Sequence, residues 1–276
     1  MAVYWGDNAA LLCLFTPRLK VVTLMARIVI LGSAAVVSDA AHDNTHFVLL
    51  GERSAPILVD CGSNPLGKLK NLGISDDGLG DVILTHFHPD HVSGMPNMLM
   101  HMWQLGRQAP LRFYGLPHCI NRAEDLMAAF QWEAWPGFFP VTFHRVRERN
   151  NAPVLENDEF RISAWPVKHF IPTIGLRIEN KLTGRVLAYT CDTEPTASLA
   201  ELCAEADLLI HEAAGEGQGH SSARHAGETA THCRARALYL IHYQVWNTDP
   251  QLIVPEARQT FAGPVSLSSD FDEYEF

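Results

Sequence analysis

Thr85-His86-Phe87-His88-Pro89-Asp90-His91 places three imidazoles and a carboxylate within six residues, a costly arrangement unless a cation holds the side chains together. The preceding Asp81-Val82-Ile83-Leu84 is apolar and β-branched enough for a buried strand, and Pro89 stops that strand from continuing. The cluster therefore falls at a strand's end. Alternation along an extended segment sends His86 and His88 to the same side, whereas Asp90 and His91 follow the turn and can face a second point in space. Two ions suit this geometry better than one.

Working outward, the chain has 276 residues with an apolar fraction of 47%, ample for a buried core. Its formal net charge of -10 provides no overall field to attract phosphate backbones. The one dense basic run, Arg145, Arg147 and Arg149 interrupted by Glu148, reads as a solvated strand edge and not as an RNA platform. Six cysteines, Cys13, Cys61, Cys119, Cys191, Cys203 and Cys233, lack any C-x-x-C spacing. That argues against a disulfide framework and against a cysteine zinc site, and it fits a reducing cytoplasm. The apolar patch Ala9–Phe15 follows Asp7, has no basic n-region and is too short to span a bilayer. Neither an export signal nor a membrane partner is expected. A first core strand opens after Met25, so residues 1–24 read as an N-terminal extension and 25–276 as a single domain.

Within that domain strands come early, and strands and helices then alternate. His46–Leu50 and Pro56–Asp60 read as paired strands, and Leu66–Leu72 as a short helix closed by Gly73. His91–Leu105 has helical amphipathic spacing, with Met95, Met98, Met102 and Trp103 as core packing. Further strands are expected at Leu111–Tyr114, Phe160–Val167, Ile174–Glu179, Arg185–Thr190, Ala206–Ile210, Ala237–Ile241 and Val265–Ser268. Helices are expected at His118–Phe130, Thr196–Glu205, from a Ser221/Ser222 cap to Cys233, and near Pro250–Phe261. The aromatic, Pro- and Gly-punctuated segment Trp132–Pro140 reads as a loop. Packing on the domain or contact with another subunit suits it better than a lid role.

A dinuclear site needs more ligands than the cluster holds, and other polar residues also sit at strand ends. His169 follows Phe160–Val167, Asp192 follows the strand ending at Thr190, and His242 follows Leu238–Ile241. Convergence of all three with the first cluster on one sheet edge explains them better than three separate core contacts.

The order Asp60, His86-x-His88-x-Asp90-His91, His169, Asp192, His242 resembles the metallo-β-lactamase superfamily over about residues 25–276. Val167–Glu179, His211-Glu212-Ala213 and Gly219-His220-Ser221-Ser222 are similar to its ribonuclease Z branch. The resemblance implies a four-layer αββα sandwich, two mixed β-sheets flanked by helices, with metals at one edge. It also implies that His86, His88 and His169 bind one ion, Asp90, His91 and His242 a second, and that Asp192 bridges them. Asp60 would support the metal loop through hydrogen bonds without binding metal. His220 would be the proton donor to the leaving group, oriented by Glu212, and Asp90 would help orient the nucleophile. Two divalent ions per chain are implied, zinc first, with manganese or iron also suited to His and carboxylate donors.

The activity expected from these residues is metal-dependent hydrolysis of a phosphodiester, with a metal-bridging hydroxide as nucleophile and His220 as general acid. The alternative is a lactonase, arylsulfatase or other ester hydrolase on the same scaffold. Members of the branch that cut tRNA in many cases carry a long Gly- and Pro-rich arm after the segment matching His169–Glu179. Here only Asn180-Lys181-Leu182-Thr183-Gly184 joins the strands. Together with the acidic balance, this favours a small phosphodiester or other small ester over tRNA. The branch also implies a homodimer, for which Trp132–Pro140 is a candidate contact.

Overall fold

The computed structural model describes residues 25–63 and 65–276; the expected N-terminal extension and its Ala9–Phe15 patch lie outside the described residues. Two seven-stranded sheets organise the chain. The first contains β1 (Arg27–Gly32), β2 (His46–Leu50), β3 (Ile57–Val59), β4 (Asp81–Ile83), β5 (Leu111–Gly115) and β6 (Val141–Arg145) in sequential order. The second contains β7 (Ala152–Glu156), β8 (Phe160–Val167), β9 (Thr173–Asn180), β10 (Val186–Tyr189), β11 (Leu208–Ala213), β12 (Leu238–Tyr243) and β13 (Val265–Leu267). The final strand, β14 (Glu273–Glu275), returns to the first sheet and pairs antiparallel with β1. Both sheets change character midway. The β1–β2–β3 and β7–β8–β9–β10 pairings are antiparallel, whereas β3–β4–β5–β6 and β10–β11–β12–β13 pair in parallel.

Alternation along each strand explains the layers. Ile28 and Ile30 of β1 pack between the sheets with Leu176, Ile178, Leu187, Tyr189 and Ile210, while Val29 and Leu31 turn outward to another cluster. That outer face is covered by α1 (Pro65–Asn71), α3 (Met95–Gln104) and α4 (Pro117–Ala129), with the short α2 (Pro89–Val92) at the site end. Ala188, Leu209 and Leu240 face the other way, beneath α5 (Leu199–Leu202), α6 (Ala223–His232) and α7 (Ile253–Ala257). The result is the expected four-layer αββα sandwich, built from two mixed sheets flanked by helices. Among the described residues no helix is long and apolar enough to cross a membrane.

The differences from the sequence reading have physical causes. The expected helix His91–Leu105 is two helices, broken at Ser93-Gly94. Gly94 N–H donates to Cys61 O at 3.0 Å, Cys61 N–H donates to His91 O at 2.7 Å, and a Cβ on Gly94 would stand 1.8 Å from Gly62 O. Close backbone contact thus ties the loop after β3 to α2, which an unbroken helix would prevent. Gly94→Ala should therefore destabilise the fold by about 1–3 kcal/mol, read as a lower urea midpoint at unchanged m-value. The expected helices Thr196–Glu205 and Pro250–Phe261 shrink to α5 and to a 3-10 turn (Pro250–Leu252) followed by α7. Strands β6, β7 and β14 are additions. Their burial is broken or slight, which removes the apolar signal a strand is recognised by. Trp132–Pro140 holds one 3-10 turn, Trp132–Ala134, and packs on the α3 side: Trp103 stacks on Trp135 and its Nε1–H donates to Pro136 O at 3.0 Å. Asn180–Gly184 forms the tight β9–β10 hairpin, with Gly184 N–H donating to Asn180 O.

Candidate metal centre

The residues singled out at strand ends converge at one edge of the sandwich. Asp60 follows β3, His86 and His88 follow β4, His169 follows β8, Asp192 follows β10, Glu212 lies near the end of β11, and His242 lies in β12. Three backbone positions here are left-handed without glycine: Asp60 (φ 62°), Cys191 (φ 55°) and His242 (φ 53°). Such conformations cost of order 1 kcal/mol or more each and persist only when the surroundings hold them. His242 sits where the β11–β12 register slips, so Ala213 pairs with Tyr243 and the His242 side chain is re-aimed toward the edge. The sequence reading ended this strand at Ile241; the strand continues through the bulge.

Asp192 is the centre of the cluster. Its Oδ2 lies 3.2 Å from His242 Nε2, 3.6 Å from His91 Nε2, and 3.8 Å from the Nε2 atoms of both His86 and His169. His88 Nδ1 lies 3.1 Å from His86 Nε2 and 3.0 Å from His169 Nε2. Asp90 Oδ2 lies 3.6 Å from His91 Nε2.

The hydrogen bonds behind the imidazoles decide which way their lone pairs point. His91 Nδ1 faces Asp60 Oδ2 at 2.8 Å, and His169 Nδ1 faces Gly219 O at 2.7 Å, so both must donate there. Thr45 Oγ1 donates to Ala34 O at 2.9 Å and therefore accepts from His242 Nδ1 at 3.1 Å. Thr85 Oγ1 donates to the Asp60 carboxylate and accepts from His86 Nδ1 at 3.1 Å. Four Nε2 atoms thus gather around Asp192 Oδ2, with His88 Nδ1 and the Asp90 carboxylate beside them. His91 Nε2 is buried without a hydrogen-bond partner. Such a donor set fits divalent cations: each imidazole is held by a hydrogen bond on its far side, and a buried acceptor is left for a positive charge.

Electrostatics are mixed: against burial, the Asp192 and Asp60 carboxylates raise His91 well above the usual imidazole range, so with no cation present a proton takes the place of a positive charge on its Nε2. Burial and the neighbouring His91 push His86 well below the usual imidazole range, keeping it neutral. Burial also lowers His169, to about 4. Burial works against ionised Asp192, yet His242 and His91 outweigh it and hold that carboxyl well below the carboxylate range.

Beside this cluster His220 Nδ1 meets Glu212 Oε1 at 3.1 Å, and its ring stacks on His242 at 5.7 Å. Glu212 is fully buried and fixed by N–H donors from Thr193 and Ser221 on Oε1 and from Ala214 on Oε2. Burial pushes Glu212 upward; burial opposes the charged form of His220, but Glu212 raises it overall. Of the two serines, Ser222 caps α6, whereas Ser221 donates to Thr193 O.

Sequence reasoning missed Thr45, the Gly219 carbonyl and Cys191, whose Sγ lies 3.1 Å from Thr85 Oγ1. Thr45 and His242 are 197 residues apart, so no local pattern connects them. Thr85 stood inside the decisive stretch, but its hydroxyl gives no signal without Asp60 beside it.

A family model described as a β-lactamase superfamily domain matches residues 56–243, more than half of the chain. The chain belongs to the β-lactamase superfamily. Ribonuclease Z of Methanothermobacter thermautotrophicus is 26% identical over 89% of this chain and 95% of its own length. Among solved structures, the metallo-β-lactamase fold protein YhfI from Bacillus subtilis has TM-score 0.77 at 23% identity, covering 91% of this chain and 99% of that one. Human tRNase Z, short form, has TM-score 0.72 at 23% identity, covering 90% and 98%. The superfamily chain is thus a ribonuclease Z-like, metal-dependent hydrolase.

Two other histidines are buried as neutral groups. Burial lowers His46 and His211 to about 4, each with Nδ1 bonded to a carbonyl, Asn44 O and Glu212 O. The unfolded chain protonates them near pH 6.5, so their stabilising contribution is complete above pH 6.5 and is lost as pH falls toward 4. Each accounts for about 3 kcal/mol across that window. Urea midpoints measured from pH 7 to 4 should fall steeply, and less steeply in His211→Asn.

Proposed function

We propose that residues 25–276 form one catalytic domain that hydrolyses small phosphodiesters. The observation that carries this reading is the His220–Glu212 pair beside the imidazole–carboxylate cluster, both opening on one cavity of about 610 Å³. A leaving group of high pKa, such as the alkoxide of a phosphodiester, calls for a held proton donor, whereas an aryl leaving group departs without one.

We assign His86, His88 and His169 to one ion, Asp90, His91 and His242 to a second, and Asp192 to both. Support comes from their grouping: His86, His88, His169 and Asp192 bring ligand atoms within 4.8 Å of one another, as do Asp90, His91 and His242. Imidazole with carboxylate favours zinc, with manganese or iron as the alternatives. When bound, such ions supply charge neutralisation at phosphoryl oxygens and acidification of water. Asp60 holds His91 directly and His86 through Thr85. Glu212 accepts the Nδ1 proton of His220, which leaves Nε2 to carry the proton delivered to the departing alkoxide. Asp90, partly facing the same cavity, orients the attacking water.

The short β9–β10 hairpin and the acidic balance support a small substrate over tRNA. The five described cysteines are free, which supports a reducing, cytoplasmic setting. Metal-loaded protein should cleave a bis-aryl phosphate and a 2′,3′-cyclic nucleotide faster than an aryl sulfate or a lactone. Cleavage of unprocessed tRNA at one position, with no turnover of the small diesters, would remove the small-substrate assignment.

A further inference from the structure

The cavity over the cluster is lined asymmetrically. Its acidic floor holds Asp90 and Asp192, Glu216 adds a third carboxylate, and among the described residues no lysine or arginine lines it. Two loops supply an apolar wall: Val36 and Val37 from the β1–β2 connection, Val245 and Trp246 from the segment after β12. Ala35 N–H donates to Tyr243 O at 2.9 Å, fastening these loops to each other at the base of the wall. Val36, Val37 and Trp246 are 65%, 49% and 66% exposed, although this chain buries most of its large apolar side chains. Large apolar groups grouped at the mouth of a polar site are more telling than scattered ones.

We propose that Trp246, with Val36 and Val37, is the specificity determinant of this cavity and seats an uncharged aromatic ester group of a monoanionic phosphodiester. The inference rests on the hydrolytic reading above and adds the class of substituent. Three points select that occupant. A flat indole left open to solvent gains most from a stacked aromatic partner. A second phosphate would find no lysine or arginine lining the cavity, since Arg224 is engaged by Glu216 and Glu228, so a polyphosphate or an oligonucleotide strand is disfavoured. A volume of about 610 Å³ is of the size that encloses a nucleoside- or aryl-sized group.

Calorimetric binding to the metal-loaded full chain tests this with two monoanions that differ in one group, phenyl methylphosphonate and methyl methylphosphonate. The wild-type protein should bind the phenyl compound at least about tenfold more tightly. Trp246→Ala should bring the two within about threefold, and Trp246→Phe should restore most of the difference. Because Trp246 is exposed, its removal leaves the core intact, and circular dichroism of the variant should match wild type. In hydrolysis of p-nitrophenyl phenyl phosphate, Trp246→Ala should raise KM about tenfold with kcat within threefold. Equal wild-type affinities, or an undiminished phenyl preference in Trp246→Ala, overturns the proposal. No hydrolysis by wild-type protein removes the hydrolytic reading, and the binding comparison still decides the role of Trp246.

Discussion

Asp192→Asn should lower bound metal from the proposed two equivalents per chain to one or fewer and reduce phosphodiester turnover by at least about 10³-fold. Asparagine preserves volume, so no cavity opens and the fold is kept. What changes is the negative charge nearest to four imidazoles, with Oδ2 between 3.2 and 3.8 Å from each Nε2. Other carboxylates cannot take over. Asp90 Oδ2 approaches His91 at 3.6 Å on one side of the cluster, and both Asp60 oxygens already face Thr85 or His91. Elemental analysis with circular dichroism separates loss of metal from loss of fold. Two retained equivalents with turnover within tenfold of wild type would remove Asp192 from the centre.

The placement of this carboxylate follows from topology. In each sheet an antiparallel half gives way to a parallel half, and parallel strands release their C-terminal ends on the same side. Asp60, the Thr85–His91 stretch, Asp192 and His242 follow or end such strands, so the sheet chirality gathers them without long loops. The local cost is concentrated in three left-handed residues, two of them next to or among the cluster's own side chains.

That geometry explains what could be read in advance. Strand ends carrying a lone His or Asp after an apolar run were visible, because a buried strand has a one-dimensional signature. Their hydrogen-bond supports were not, since Thr45, Gly219 and Thr85 act through partners brought close only by the fold. The break at Gly94 was hidden for a similar reason: the helical spacing of Met95, Met98 and Met102 continues the phase of His91, and it is the carbonyl of Gly62, with Pro65 Cδ beside it, that makes a glycine necessary there. Weakly buried β6, β7 and β14 lacked the apolar alternation that marks the inner strands.

His220→Ala should separate substrates by the pKa of their leaving groups. For an alkyl leaving group, turnover should fall by about 10²–10⁴-fold, the usual contribution of a positioned acid, whereas a p-nitrophenyl diester should lose less than about tenfold. The reason is chemical: an alkoxide cannot depart at neutral pH without a proton, and p-nitrophenolate can. Bound metal should stay near the wild-type value: His220 brings a ring nitrogen within 4.8 Å of ligand atoms of Asp192 and His242, but its Nδ1 is held by Glu212 and neither proposed ligand set uses it. Glu212→Gln should give an intermediate loss, because the amide oxygen can still accept from Nδ1 but its charge no longer raises the imidazole's affinity for a proton. A plot of log kcat against leaving-group pKa should therefore steepen from wild type through Glu212→Gln to His220→Ala. Parallel lines displaced downward would mean that His220 shapes or fills the cavity and that the departing oxygen receives its proton from elsewhere.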